Sequence, residues 1–141
     1  MLILDTDHLT VIQRKTEPAY ALLRSRLRQA MSGEISTTIV NFEEQMRGWL
    51  TVIARARDAQ QEIAAYQHLH ALLTFFRNVS VLDFNATAAG RILQLRQARV
   101  RIGSMDLKIA AIALSYGATL LSRNLVDFQQ VPDLQAEDWT Q

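Results

Sequence analysis

Cysteine is absent from the 141-residue sequence, which excludes disulfides, zinc fingers and thiol nucleophiles together. Histidine is scarce: His68 and His70 lie two apart and would diverge on a helix, so no pair stands at metal-ligand spacing. Lysine is nearly missing too, since thirteen of the fifteen basic residues are arginine. No apolar run approaches the roughly 20 residues that span a bilayer. Met1-Leu2-Ile3-Leu4-Asp5 meets an acid at once and lacks the basic flank and long apolar stretch of a signal peptide. The cytoplasm is therefore the expected setting. The sequence has no internal repeat, low-complexity stretch or second-domain boundary, so residues 1–141 are expected to form one domain.

Hydrophobic residues make up 49% of the chain and charged ones 21%, the balance of a folded protein with a sizeable core. The net charge of +1 says little, but its distribution says more. From Phe84 to Met105 there is no acid, while Arg91, Arg96, Arg99 and Arg101 all fall there. These arginines read either as a solvated helix face or as an anion-binding surface, because a guanidinium fork suits phosphate. Beyond Lys108 the balance reverses: Arg123 faces Asp127, Asp133, Glu137 and Asp138.

Strands alternate with helices along the chain. Leu2-Ile3-Leu4 reads as a buried strand ended by Asp5-Thr6-Asp7. A short helix follows, then a second starting at Thr16-Glu17-Pro18, striped by Tyr20, Leu23, Leu27, Ala30 and Met31 and stopped by Gly33. Residues 35–40 predict a second strand. Asn41 suits a helix N-cap, with Glu44 at capping-box spacing. Met46, Trp49, Leu50 and Ile53 give that helix one buried face. Arg55, Arg57 and Asp58 make a polar elbow before a helix over about 60–76. A third strand over 79–82 leads to a helix capped by Asp83 or Asn85. The segment from Met105 to Tyr116 is apolar on most of its circumference, and Gly117 ends it. Residues 118–122 predict a fourth strand, and the tail adds an edge strand with Trp139 packed back. This order predicts an α/β fold, three layers deep, with a mainly parallel sheet of four to five strands.

In such folds ligands gather at the carboxyl ends of the strands. Acids recur there from four separate segments: Asp5 and Asp7, Glu43 and Glu44, Asp106, and Asp127 just beyond Ser122-Arg123-Asn124. Crowded carboxylates repel and lose hydration, and a divalent cation is the natural compensator. All-oxygen ligands select magnesium or manganese over zinc. Taken singly, each residue has a structural alternative. Glu44 can close a capping box with Asn41, and Glu43 can face solvent or pair with Arg47. Asp106 can complement a helix dipole, Asp7 can cap the first helix, and Asn124 and Asp127 can shape a turn. His8 reads as a partly exposed packing residue. Asp5 is harder to explain structurally, and the set persuades more than its members.

These motifs resemble the PIN-domain ribonucleases, and within them the VapC toxins of bacterial toxin–antitoxin pairs. Leu4-Asp5-Thr6-Asp7 is similar to that family's leading Leu-Asp-Thr-Asn. Glu44-Gln45-Met46-Arg47-Gly48 resembles its Glu-Leu-x-x-Gly stretch, with Gln45 in place of leucine. Asp106-Leu107-Lys108-Ile109-Ala110-Ala111-Ile112-Ala113 resembles its Asp-x-x-Ile-Ala-Ala-x-Ala helix, and Ser122 to Phe128 its Thr-x-Asn-x-x-Asp-Phe segment. The likeness runs the whole chain in order. It implies an α/β/α fold and magnesium- or manganese-dependent cleavage of RNA. It implies Asp5, Glu44 and Asp106 as metal ligands, with Asn124 or Asp127 completing the site and Ser122 and Thr6 supporting it. Arg99, Arg101 and Lys108 become candidates for guiding the RNA backbone. A small antitoxin partner and a homodimer are implied as well. Asn124, a neutral residue, stands where the family carries an acid, which points to looser binding of a second metal unless Asp127 substitutes.

Three rival readings remain at this level. One is a non-catalytic PIN fold serving as a binding module, and another takes DNA as the substrate. The third is a haloacid dehalogenase-like phosphatase, since Asp5-Thr6-Asp7 imitates its nucleophile–acid pair. That class wants threonine or valine where Leu9 stands and a lysine late in the chain, and none follows Lys108.

Overall fold

A computed structural model describes residues 1–30 and 33–141. The elements run β1 (Leu2–Leu4), α1 (Thr6–Arg14), α2 (Ala19–Gln29), β2 (Ile35–Thr38), α3 (Ile39–Ala54) and α4 (Ala59–Arg77). There follow β3 (Ser80–Leu82), α5 (Ala86–Gln97), α6 (Ser104–Ser115), β4 (Thr119–Leu121), α7 (Leu125–Phe128) and β5 (Gln135–Glu137).

The five strands form one sheet in the order β3-β2-β1-β4-β5, and every pairing is parallel. Period-2 alternation splits the core between the two faces. Ile3 of β1 and Leu120 of β4 point into a cluster with Ile92 and Leu95 of α5 and Ile109 and Ile112 of α6. Their neighbours Leu4 and Leu121 point the other way, onto Leu9, Leu72 and Phe76 from α1 and α4. Helices therefore cover both faces, and the expected three-layer α/β/α sandwich is what forms. In α6 Ile109 through Ala113 are wholly buried, which explains why that segment carries no polar stripe. Trp139 packs back onto the layer of α1 and α2, as expected.

Topology then fixes where a ligand goes. From β1 the chain winds outward to β2 and β3, and afterwards crosses to the other side of β1 to lay down β4 and β5. The winding direction reverses between β1 and β4. A crevice at the carboxyl ends of those two strands is the switch point of a parallel sheet. Asp5 and Ser122 are the residues that stand there.

Several boundaries differ from the sequence reading. The second strand stops at Thr38 instead of Val40, and Thr38, not Asn41, is the N-cap of α3. Its backbone is extended and its hydroxyl accepts the N–H of Asn41 at 3.2 Å. Ile39-Val40 is apolar enough for either element, and the Thr38 hydroxyl breaks the tie by satisfying an orphan helix donor. Glu44 consequently lies in the second turn of α3 rather than the first. Helix α2 ends at Gln29, four residues before Gly33, which instead takes a left-handed turn at φ +82° ahead of β2. The assignment of Met31 to the stripe of α2 lies outside the described residues. Asn85, rather than Asp83, caps α5. Gly117 ends α6 at φ +59°, as expected.

Candidate active site

Asp5 is the first residue past β1 and only 6% exposed. It caps α1: Oδ1 accepts the Thr6 N–H at 2.8 Å, so Asp5, not Asp7, starts that helix. The same oxygen accepts from the Asn41 amide at 2.9 Å. Oδ2 accepts the Ser122 hydroxyl at 2.7 Å. Three donors from three segments thus hold one carboxylate at the switch point. Burial still dominates, and with the nearby Asp7 charge it raises the Asp5 pKa above the ordinary value, although the three hydrogen bonds act to lower it.

Glu44 projects from α3 toward the same place, and its Oε1 accepts the Thr6 hydroxyl at 3.2 Å. Burial and the charges of Asp5, Asp106 and Glu43 push its pKa up to about 7, against the lowering effect of the Thr6 bond. Asp106 comes from the first turn of α6. Its pKa is raised by burial and by Asp5, Asp127 and Asp7, and lowered in part by Asn124. Asn124 donates to Asp106 Oδ2 at 3.2 Å and to Asp127 Oδ2 at 3.0 Å. One amide therefore clamps two carboxylates, and the turn-forming reading of Asn124 and Asp127 covers only part of what they do.

The pKa shifts have a common cause. Burial is the largest cause for Asp5, Glu44 and Asp106 alike, and the Asp5 charge adds to the shift of both Glu44 and Asp106, although Asp5 and Asp106 lie 101 positions apart in sequence (106 − 5). Among the described residues no arginine or lysine forms an ion pair with any of them; the Arg–carboxylate pair present is Arg47 with Glu43, along α3. The site is an uncompensated pocket of negative charge with all-oxygen donors, which fits a hard divalent cation. The carboxylates do not yet converge on one point: among the described residues no three such groups are close enough to ligate a single ion together. Each is turned instead toward a hydroxyl or amide, Glu44 to Thr6 and Asp106 to Asn124. These neutral donors can yield to an ion without leaving a buried charge behind.

Three residues of the site were misread or passed over in the sequence. Asn41 is wholly buried and bonds both Asp5 and, at 3.0 Å, the Thr6 hydroxyl. The clue was its spacing: three residues before Glu44, it shares that residue's helix face. His8 is fully buried, not partly exposed. Its Nδ1 lies 2.6 Å from Asp7 Oδ1, and its Nε2 accepts the Trp139 N–H at 3.1 Å. Asp7 Oδ2 accepts the Arg123 N–H at 3.0 Å, tying the end of β1 to the end of β4. Arg99 and Arg101 are exposed in the connection between α5 and α6, and neither bonds to the acids among the described residues. Lys108 is half-buried on α6, two positions beyond Asp106.

Comparison with known proteins agrees with the fold. A protein named tRNA(fMet)-specific endonuclease VapC, from Shigella flexneri, is 28% identical over 142 residues, covering 98% of this chain and 97% of the relative. A protein of the same name from Salmonella typhimurium is 29% identical over 94 residues, covering 64% of this chain and 71% of its own. The solved structure of VapBC-1 from nontypeable Haemophilus influenzae superposes with a TM-score of 0.73 at 26% identity, over 99% of this chain and 98% of that one. No helix of the described residues is long and apolar enough to cross a membrane. The family model of the PIN domain matches residues 2–134, nearly the whole length, and the chain belongs to the PIN-domain family.

Proposed function

We propose that the chain is a metal-dependent endoribonuclease that hydrolyses RNA phosphodiester bonds, and the toxin of a type II toxin–antitoxin pair. The observation that supports this reading is that Asp5, Glu44 and Asp106, from three separate elements, lie near the β1/β4 switch point with pKa values raised by burial and, for Glu44 and Asp106, by the Asp5 charge. The endonuclease relatives named above support the reaction class, and the VapBC complex supports a small antitoxin partner. The reading includes a homodimer and a cytoplasmic setting. The phosphatase alternative falls with membership of the PIN family, and in this structure Asp7 contacts His8 and accepts the Arg123 N–H.

Asp5, Glu44 and Asp106 would hold magnesium or manganese, with Asp127 or Asn124 completing the set. A divalent ion there supplies Lewis-acid polarisation of the phosphodiester and neutralises developing charge. The chain's own contribution is positioning. Ser122, Asn41 and Thr6 fix the Asp5 carboxylate in one orientation. The Glu44 carboxyl, its pKa pushed up to about 7 by burial and the neighbouring acids, is a group that a bound cation would return to its charged form. Arg99, Arg101 and Lys108 would guide the backbone toward the N-terminal turn of α6.

Purified protein should cleave RNA with magnesium or manganese and stop in excess chelator. Asp5→Asn should lower the rate by two to three orders of magnitude, on the scale of losing a principal electrostatic group. Undiminished cleavage in chelator overturns the metal reading, and undiminished cleavage by folded Asp5→Asn overturns the site.

A further inference from the structure

A groove of about 760 Å³ opens beside the acids, between α1, α3 and α4. Thr6 lines it, and the Thr6 hydroxyl is the group that donates to Glu44. The groove is thus continuous with the catalytic crevice. Among the described residues no aspartate or glutamate lines it, although carboxylates crowd the site next door, and Arg14 is part of its wall. A second cavity shares Trp49, Val52 and His68 with it and continues to Arg55, again with no acid in the wall. The path leading from the metal-binding acids therefore suits a polyanion.

Its polar and aromatic groups are also arranged for a planar ligand. Gln13 and Gln45 form a closed amide pair, Nε2 to Oε1 at 3.0 Å one way and 2.8 Å the other. Each amide offers a donor beside an acceptor, the pattern that glutamine uses on the edge of a base. A base edge can take the place of one amide on the other, forming two hydrogen bonds for the two it breaks and freeing the displaced amide for solvent or ligand. Trp49 and His68 stack at 4.3 Å between centroids and 5° between planes, bridging α3 and α4 along the groove wall. Aromatic and histidine rings are the surfaces on which unpaired RNA bases stack.

We propose that this groove binds an unpaired nucleobase of the RNA next to the scissile phosphate, stacked along Trp49–His68 and read by Gln13 and Gln45. The inference rests on the ribonuclease reading and specifies where its substrate is recognised. Gly48 lines the groove, and a Cβ built there meets nothing within 4 Å, so Gly48→Leu introduces a bulky side chain at the groove wall without a clash at its Cβ. Leucine also favours the helix over glycine.

The test measures kcat and KM of wild type, Gly48→Leu and Gln45→Ala on a single-stranded RNA in magnesium. It adds fluorescence-anisotropy binding of a labelled RNA of about eight nucleotides to the same variants carrying Asp106→Asn. Gly48→Leu should raise KM and weaken binding by about ten-fold with kcat largely kept, as expected for losing one stacked base. Gln45→Ala should change the ranking of substrates that differ in the base beside the cleaved bond. Unchanged KM and unchanged RNA affinity in both variants, with wild type active, overturn the groove assignment and leave the nuclease standing. Loss of an antitoxin protein's binding in Gly48→Leu, with RNA affinity intact, assigns the groove to a polypeptide and likewise overturns it. If wild type cleaves no RNA in either metal, both readings fall.

Discussion

The side-chain amide of Asn41, on α3, donates to the carboxylate of Asp5 at the end of β1, 2.9 Å away and 36 positions earlier in the chain. Its other amide hydrogen bond goes to the Thr6 hydroxyl, which in turn donates to Glu44. The Asn41 oxygen accepts from Thr38 at 2.7 Å, which sets the amide's orientation. Asn41 is thus a positioning residue between two acids.

Asn41→Ala should lower stability by about 1–3 kcal/mol, the cost of removing one donor from the buried Asp5 carboxylate and leaving the buried Thr38 hydroxyl without its acceptor. Losing a hydrogen bond to the charged form also raises the Asp5 pKa further. The acid limb of the activity–pH profile should therefore move to higher pH, alongside a lower kcat. Asn41→Asp, which sets a second carboxylate against Asp5, should be worse than alanine. A merely structural role would lower the melting temperature and leave the pH profile where it was.

Stability itself should depend on pH through the same acids. Asp5, Glu44 and Asp106 all have folded-state pKa values above their ordinary ones. Between those two values the native state binds more protons than the unfolded chain. Their stabilising contribution is then complete below the ordinary pKa and is lost as pH rises through the folded one. For Glu44 the window runs from 4.5 to about 7. Bound magnesium or manganese competes with these protons, so the ion should raise the melting temperature more at pH 8 than at pH 5. Equal metal-induced shifts at both pH values, measured by calorimetry, would place the ion elsewhere.

Asp106→Asn separates activity from stability. The charge of Asp106 raises the pKa of Glu44, and Asp5 and Asp127 raise its own. A neutral amide of the same shape relieves that repulsion. In chelator at pH 8 the variant should melt at the same temperature as wild type or a few degrees higher, while cleavage in magnesium falls by at least about a hundred-fold. A variant that is both inactive and strongly destabilised would mean that Asp106 holds the fold rather than the reaction.

How much of this was legible beforehand depends on the range of the interaction. Strand-ending acids and the apolar run of α6 are local signals, and they located Asp5, Asp106 and the parallel sheet. The Asn41–Glu44 capping box failed because Ile39-Val40 suits strand and helix equally, and only the Thr38 hydroxyl decides between them. His8 was misjudged for a different reason. What buries it is the chain's last few residues returning across α1, a contact spanning 131 positions that no local pattern carries.

That return is the basis of a final prediction. Because His8 Nε2 accepts the Trp139 N–H, the ring proton sits on Nδ1 and is donated to Asp7 Oδ1. The imidazole thereby links the C-terminal tail to Asp7, and Asp7 Oδ2 holds the Arg123 N–H and lies 3.3 Å from the Ser122 hydroxyl that orients Asp5. His8→Phe keeps a ring in the cavity but deprives both Asp7 and Trp139 of a partner. It should cost about 2–4 kcal/mol from two unsatisfied groups, a melting-temperature drop on the order of 10 °C. His8→Gln retains one donor and one acceptor and should recover part of that loss. Thermal melts of the two variants decide the point: a glutamine no better than phenylalanine would show that His8 acts by filling space, and that its hydrogen bonds contribute nothing to the tail.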